Sequence, residues 1–238
     1  MKKNLLLIVC MISCVLNAQE SEEPVLWDYP VKPGMPEWAS FATGEQMREA
    51  CQIPDKILEA LSSKDLVKII LNYPLFFTFT IHENERAGVS FAIKTFNGLS
   101  ELSKRKDGVF ELINAYKEYP VLTQQPERSS KYYFAPFKLL WIELLLADDA
   151  FIKQLNEHES AELGKIVVEK YARKVESIHV YSLWDIKHTF LLCAVNILNY
   201  NINEKTPQQQ ETIKSFIENF MFADETLLTE MSKIISGL

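Results

Sequence analysis

The segment 135–151 reads Ala-Pro-Phe-Lys-Leu-Leu-Trp-Ile-Glu-Leu-Leu-Leu-Ala-Asp-Asp-Ala-Phe, and it limits the possible folds of this chain more than any other segment. Pro136 suits the first turn of a helix, where a missing N–H costs nothing. Up to Ala147, only Lys138 and Glu143 interrupt the apolar residues that follow. A helix this apolar must be surrounded by other helices, and it is too short to span a membrane. The sequence therefore predicts a buried central helix covered by amphipathic neighbours.

Amphipathic helical patterns occupy most of the chain on both sides of this segment. From Ile213, for example, apolar residues recur at i, i+3, i+4, i+7 and i+8. The 7 glycines of the whole chain suit short turns between helices better than a β fold. We therefore predict one all-α domain over residues 41–238 with roughly nine or ten helices. Stacked antiparallel helix pairs, as in an irregular solenoid, are the preferred arrangement, and a compact multi-helix bundle is the alternative.

Some helix ends can also be predicted. Thr43 and Gln46 have the spacing of a capping box, and Ser63 is expected to cap a later helix. The Asn-Gly pair at 97–98 is expected to end a helix. Segment 75–81 alternates like a strand, but no partner strand is evident elsewhere, so we predict that it is helical.

The beginning of the chain has the features of a secretory signal peptide. A basic start is followed by an apolar run from Leu5 to Leu16 and by the small residue Ala18. We predict a signal peptide over residues 1–18, export to the periplasm or extracellular space, and no transmembrane segment after cleavage. The alternative is an envelope protein anchored by a lipid on Cys14, because the residues before that cysteine loosely resemble a lipidation signal.

Residues 19–40 are predicted to form an extended arm. Four prolines exclude a helix there and favour a polyproline-like conformation. Aromatic residues are scarce in disordered segments, so those of the arm are predicted to dock on the helical body. Stacking on a glycan is their alternative role. The aromatic residues of the arm are Trp27, Tyr29 and Trp38.

Four short motifs resemble a known family. They are Tyr-Pro-Val-Lys-Pro-Gly-Met-Pro-Glu-Trp at 29–38, Ala-Cys-Gln-Ile-Pro at 50–54, Asn-Tyr-Pro-Leu at 72–75 and Phe-Asn-Gly-Leu at 96–99. In these motifs the chain resembles secreted proteins of Bacteroides and related gut bacteria that carry the Pro-rich opening. The resemblance covers roughly the first half of the mature chain. It implies an exported helical protein, but no activity, cofactor or catalytic residue.

The charge of the chain argues against several kinds of partner. The net charge is -7, and removing Lys2 and Lys3 with the signal peptide leaves 23 basic against 32 acidic residues, or -9. Nucleic acids need clustered Lys and Arg, which this sequence lacks, and anionic membrane surfaces are disfavoured for the same reason. Cys51 and Cys193 remain in the mature chain, where they form either a disulfide in an oxidising compartment or two buried free thiols.

Catalytic motifs are missing from the sequence. It has no Gly-x-Ser-x-Gly elbow, no glycine-rich phosphate loop and no His-Glu-x-x-His. The nearest match begins at His158, but Glu162 replaces the second histidine, and acidic residues are favoured in the first turn of a helix. Asp148 and Asp149 diverge by about 100 degrees on a helix, so we expect them to end the central helix or to cap the next one.

One set of residues has metal-ligand character. Asp185 and His188 lie three residues apart, so they share a helix face, and His179 precedes that helix. A third ligand is unassigned. Histidines near an apolar helix are also usually hydrogen-bonded structural groups. We therefore predict no metal and no cofactor.

The helix predicted over 183–200 carries a narrow polar stripe. The preferred interpretation is the single solvent-facing side of a nearly buried helix, and the alternative is a partner-binding surface on a concave wall of stacked helices. The sequence thus favours a non-enzymatic exported protein that binds a protein or peptide in the cell envelope. A glycan-binding accessory protein or an unrecognised hydrolase is the alternative. The stripe consists of Asp185, His188, Thr189, Asn196 and Asn199.

Overall fold

The computed structural model describes residues 27–130, 132–220 and 225–237, and every regular element in these ranges is helical. The all-α prediction is confirmed, and nine of the described helices have seven residues or more. The predicted signal peptide lies outside the described residues. The α-helices are α1 (Pro36–Ala39), α2 (Gly44–Ala50), α3 (Asp55–Ala60), α4 (Ser63–Ile70), α5 (Glu85–Thr95), α6 (Asn97–Leu102), α7 (Gly108–Glu118), α8 (Ala135–Leu146), α9 (Asp149–Ile152), α10 (Glu157–Glu176), α11 (Leu183–Tyr200), α12 (Pro207–Glu218) and α13 (Glu225–Ser236), with 3-10 helices at Phe76–Ile81 and Ile202–Glu204.

Helix α8 is the buried central helix that the sequence predicted. All its residues are buried except Phe137 and Lys138 in its first turns. It packs against α5, α7, α9 and α11, and α11 in turn packs against α8, α10, α12 and α13. One hydrophobic core runs through the described residues from Tyr29 to Ile235.

The helices pack compactly. Helix α7 packs against α8, and α10 packs against α11. The two pairs contact each other through α7 with α10 and through α8 with α11, a pattern that both predicted arrangements share. None of the helices in the described ranges is both long enough and apolar enough to cross a membrane.

Two predicted helix ends need correction. The capping box of Thr43 and Gln46 is confirmed, but Ser62 rather than Ser63 caps α4. Ser63 is instead buried, and its hydroxyl donates a hydrogen bond to Asp107 over 2.6 Å. The local pattern does not distinguish the two serines, because the partner of the second one lies 44 residues away.

The Asn-Gly pair at 97–98 begins α6 instead of ending a helix. The Asn97 side chain donates to the carbonyl oxygen of Ile53 and accepts from the N–H of the same residue, at 2.7 and 3.0 Å. This side chain therefore joins two chain segments rather than terminating α5 locally.

The arm is not extended throughout, because α1 begins at Pro36. The prediction that its prolines exclude a helix is wrong at this position, where proline occupies the first helical turn and no N–H is needed. Segment 75–81 is helical as predicted, in the form of a 3-10 helix.

Candidate interaction surface

A group of three exposed aromatic side chains and one half-buried one lies where the 3-10 helix Phe76–Ile81 meets the start of α8. We call Phe77, Tyr133, Phe134 and Phe137 the aromatic patch. The Phe77 ring centroid lies 5.8 Å from that of Phe134 and 5.0 Å from that of Phe137, both edge to face. Tyr133 and Phe134 are 5.0 Å apart. Tyr133, Phe134 and Phe137 are 36% to 45% exposed. These rings therefore take part in the contacts of the patch without being buried.

The 3-10 geometry explains why Phe77 points outward. With three residues per turn, residues i and i+3 share a face, so Phe76 and Phe79 both point into the core. Phe79 stacks on the Trp141 ring of α8 at 5.8 Å. Gly88 of α5 makes this packing possible, since a Cβ there would lie closer than 3.0 Å to the backbone of Phe79. The segment whose alternating pattern resembles a strand is thus a helical element, with Phe77 on its outer side.

Phe137 in the first turn of α8, together with Tyr133 and Phe134 just before this helix, supplies the other rings. Ala135 and Pro136 are buried, whereas Phe134 and Phe137 point outward. The patch therefore marks the place where the apolar central helix reaches the surface.

Polar groups beside the patch are largely occupied by the protein itself. Lys138 donates to the side-chain oxygen of Asn72 over 2.6 Å, and burial lowers the pKa of this lysine. The hydroxyls of Thr78 and Thr80 donate to backbone carbonyls of their own 3-10 helix, over 2.7 and 2.9 Å. The surface thus offers apolar area with few free hydrogen-bonding groups around it.

The polar stripe predicted on α11 does not form an exposed surface. Asp185, His188, Thr189 and Asn196 are between 0% and 8% exposed, and only Asn199 is exposed. Both the solvent-face and the concave-wall interpretations are therefore wrong for Asp185, His188 and Thr189. Asn196, which is 5% exposed, is not on an open surface either, but it lines a groove. The reason for this burial is that the polar atoms of these residues pair with groups on other helices or, for Asp185, with the N-cap Ser182.

His188 takes part in a buried polar contact between α5 and α11. Its Nε2 lies 3.0 Å from a carboxylate oxygen of Glu85, and its Nδ1 lies 2.6 Å from the carbonyl oxygen of Trp184. Both ring nitrogens are therefore occupied by groups of the protein itself. Burial alone would raise the pKa of Glu85, but the hydrogen bond and charge of His188, together with Lys187 and the Trp184 indole, lower it.

Thr189 belongs to a second buried network, centred on Glu143 of α8. The Glu143 carboxylate accepts hydrogen bonds from the hydroxyls of Tyr116 and Thr189, each over 2.9 Å. Lys174 of α10 donates to both carboxylate oxygens and to Thr189. Glu143 and Lys174 are completely buried, so this network joins α7, α8, α10 and α11 inside the core. Burial, reinforced by Glu143, raises the pKa of Tyr116.

The aromatic residues of the arm lie against the helical body. Tyr29 is 3% exposed and donates from its hydroxyl to the carbonyl oxygen of Ile69 over 3.1 Å. Trp27 packs edge to face on Tyr29 at 4.8 Å, and Trp38 packs partly buried against the core. Tyr29 is therefore not available as a sugar platform.

The structure does not bring the predicted metal-ligand residues together. His179 bonds to the carbonyl oxygen of Thr123 over 2.9 Å, whereas Asp185 and His188 have the separate partners given above. Asp148 caps α9, as predicted for the acidic pair, by accepting from the N–H of Ala150 over 2.9 Å. Within the described residues, no group of three metal-ligating side chains is close enough to hold an ion.

Both remaining cysteines are free and buried. Burial raises the pKa of Cys51 to about 12 and that of Cys193 to about 12, so neither thiol is ionised at neutral pH. Of the two alternatives that the sequence allows, the structure has the free thiols.

A cavity of about 670 Å³ lies between α5, the α8–α9 turn and the end of α12. The Ser90 hydroxyl donates to the Asp148 carboxylate there over 2.6 Å. The described residues that line this cavity include no histidine, so they form no serine–histidine pair of the kind that activates a hydroxyl nucleophile.

Comparisons of the chain with family models, with curated proteins and with solved structures find no match.

Proposed function

We propose that this protein is a non-enzymatic binding module that holds an apolar segment of a partner protein on the aromatic patch. The observation that carries the proposal is the cluster of the exposed Tyr133, Phe134 and Phe137 around the half-buried Phe77. Exposed apolar clusters on soluble proteins mark interaction sites, and aromatic residues contribute a large share of binding energy at protein interfaces.

The chemistry of the patch favours a protein segment over a glycan. Three of its four rings are phenylalanines, which have no hydroxyl for a sugar to bond. The nearby polar groups of Asn72 and Lys138 already bond to each other. An apolar partner loses nothing by contacting such a surface, whereas a sugar would leave hydroxyl groups without partners.

The predicted signal peptide supports a partner in the cell envelope. Mass spectrometry of the protein from its native host should then show Gln19, or its cyclised form, at the N-terminus. A lipid-modified Cys14 would instead indicate an anchored protein, with the same patch available.

A peptide library displayed on phage provides a direct test of the patch. Peptides selected on the wild-type protein should be rich in Leu, Ile, Phe and Trp. The double variant Phe134→Ala/Phe137→Ala should bind them at least about tenfold more weakly. Phe110→Ala is the matched control, because Phe110 is similarly exposed, at 44%, on α7.

Thermal unfolding of both variants and the wild type shows whether a loss of binding comes from a loss of folding. Similar melting temperatures are expected, because the three replaced rings are already partly exposed to water in the wild type. Equal loss of peptide affinity in the Phe110 variant would contradict the assignment to the patch. Selective retention of soluble polysaccharides by the wild type, but not by the double variant, would indicate the glycan alternative.

A further inference from the structure

A groove of about 440 Å³ between α10 and α11 has the features of a second binding site, independent of the aromatic patch. Gly164 of α10 and Asn196 of α11 line it close together, since a Cβ on Gly164 would lie 3.6 Å from the Asn196 side-chain nitrogen. Lys165 and Lys205 also line it. Ala161, Val168 and Ile197 provide apolar lining.

Asn196 is held in a fixed orientation in the lining of the groove. Its side-chain oxygen accepts from the Ser160 hydroxyl over 2.9 Å, and its nitrogen donates to the Ser160 carbonyl oxygen over 3.1 Å. The carboxamide has two N–H donors, and in the described part of the chain the second one has no acceptor. Asn196 is 5% exposed and lines the groove, so this N–H is a preoriented donor with little freedom to turn away.

Gly164 is not explained by packing or by backbone conformation. It lies in the middle of the 20-residue helix α10, where glycine costs about 1 kcal/mol relative to alanine. A Cβ at this position would meet only the Asn196 nitrogen, at 3.6 Å, an ordinary contact distance. The missing side chain therefore gives no closer helix packing, but it leaves space directly above the free N–H of Asn196.

The acidic side chains that line the groove have partners within the protein, whereas the two lysines have no ion-pair partner in the ranges that the structure describes. Glu169 pairs with Arg173 at 3.6 Å, and Glu204 accepts from Asn201 over 3.3 Å. Among the described residues, Lys165 and Lys205 form no ion pair. Glu204 keeps its charge, because its partner Asn201 is neutral. In its described lining, the groove therefore has two unpaired ammonium groups against one uncompensated carboxylate, together with one fixed amide donor, and this set suits a negatively charged acceptor beside the lysines.

We propose that this groove binds the carboxylate of a peptide, with the two lysines beside the charge and Asn196 donating to a peptide or carboxylate oxygen. The apolar lining provides a surface for the aliphatic part of such a ligand. The terminal carboxylate of a peptide and the carboxylate of an Asp or Glu residue share this chemistry.

The test uses small peptide models and nuclear magnetic resonance of the side-chain amides. N-acetylglycine carries a terminal carboxylate, the α-amide of N-acetylaspartate carries only the carboxylate of its side chain, and N-acetylglycinamide carries none. Saturable shifts of the Asn196 side-chain N–H signals are expected with one or both carboxylates and at least tenfold weaker binding with N-acetylglycinamide. Which carboxylate binds identifies the source. Asn199, exposed on the same helix, is the internal control.

Two variants locate the site. Lys165→Met/Lys205→Met should weaken carboxylate binding at least tenfold, and Gly164→Leu should abolish it by filling the groove. Lys106→Met, which removes an exposed lysine between α6 and α7, should change nothing. Equal shifts at Asn196 and Asn199, equal binding of N-acetylglycinamide, or unchanged binding by the double lysine variant would each overturn the proposal.

Discussion

Removing one member of the buried Glu143–Lys174 pair should be far more damaging than removing both charges. Lys174 donates to the two carboxylate oxygens over 2.9 and 2.8 Å and to Thr189 over 2.9 Å. Neither charged side chain has any exposed surface. Each charge therefore depends on the other for the solvation that water would have provided.

The expected magnitudes follow from that dependence. Lys174→Met leaves a buried carboxylate with only two hydroxyl donors, and Glu143→Gln leaves a buried ammonium beside a neutral amide. Each change should lower the free energy of unfolding by about 3–5 kcal/mol. The double variant removes both charges, and its glutamine oxygen still accepts from the hydroxyls of Tyr116 and Thr189. It should therefore be more stable than either single variant.

Urea unfolding followed by circular dichroism measures all four members of this cycle. The control is Lys153→Met, which breaks an exposed ion pair with Asp149 at 2.6 Å and should change stability by less than about 1 kcal/mol. Additive losses in the double variant would refute the argument, because they would show that the two charges do not compensate each other inside the core.

Two further predictions concern the thiols and the glycines. Burial raises the pKa of both thiols to about 12. Above about pH 8.5 the unfolded chain therefore loses the two thiol protons, whereas the folded chain keeps them. The free energy of unfolding falls as pH rises, because the unfolded state then binds fewer protons than the folded state. Between pH 7.5 and 10, the wild type should therefore lose about 4 kcal/mol more unfolding free energy than Cys51→Ala/Cys193→Ala; parallel losses in urea titrations at the two pH values would contradict this. Gly88→Ala should cost about 1–3 kcal/mol through its clash with the Phe79 backbone, whereas Gly164→Ala, which meets no backbone, should stabilise by about 0.5–1 kcal/mol. Thermal melts that reverse this order would show that the packing around α5 is looser than described.

The sequence predicted the helices well where the periodic pattern is local. The bounds predicted for α11, 183–200, are those of the structure, and the apolar run at 135–147 correctly predicted a buried α8. Only Glu143 interrupts the buried part of that run, which was a signal for a polar core network. Its partner on α10 was not predictable, because nothing local distinguishes Lys174 from the exposed lysines.

The burial of the polar residues of α11 could not be predicted for the same reason. Periodicity places His188 and Asn196 on one side of the helix, but whether that side faces water depends on what lies opposite. Glu85, the partner of His188, is 103 residues away in the sequence. The aromatic patch was equally hidden, since the outward position of Phe77 follows from the three-residue turn of a 3-10 helix and its meeting with α8.

The all-round burial of α8 also has a consequence for the order in which the molecule can be made. The protein is synthesised from its N-terminus, so α8 exists before α11, the helix that covers one of its sides, has been added. Until then, an apolar surface of α8 remains open to water or to other proteins. The N-terminal half therefore cannot reach its final packing alone, and the nascent polypeptide must stay incompletely folded until most of its length is present.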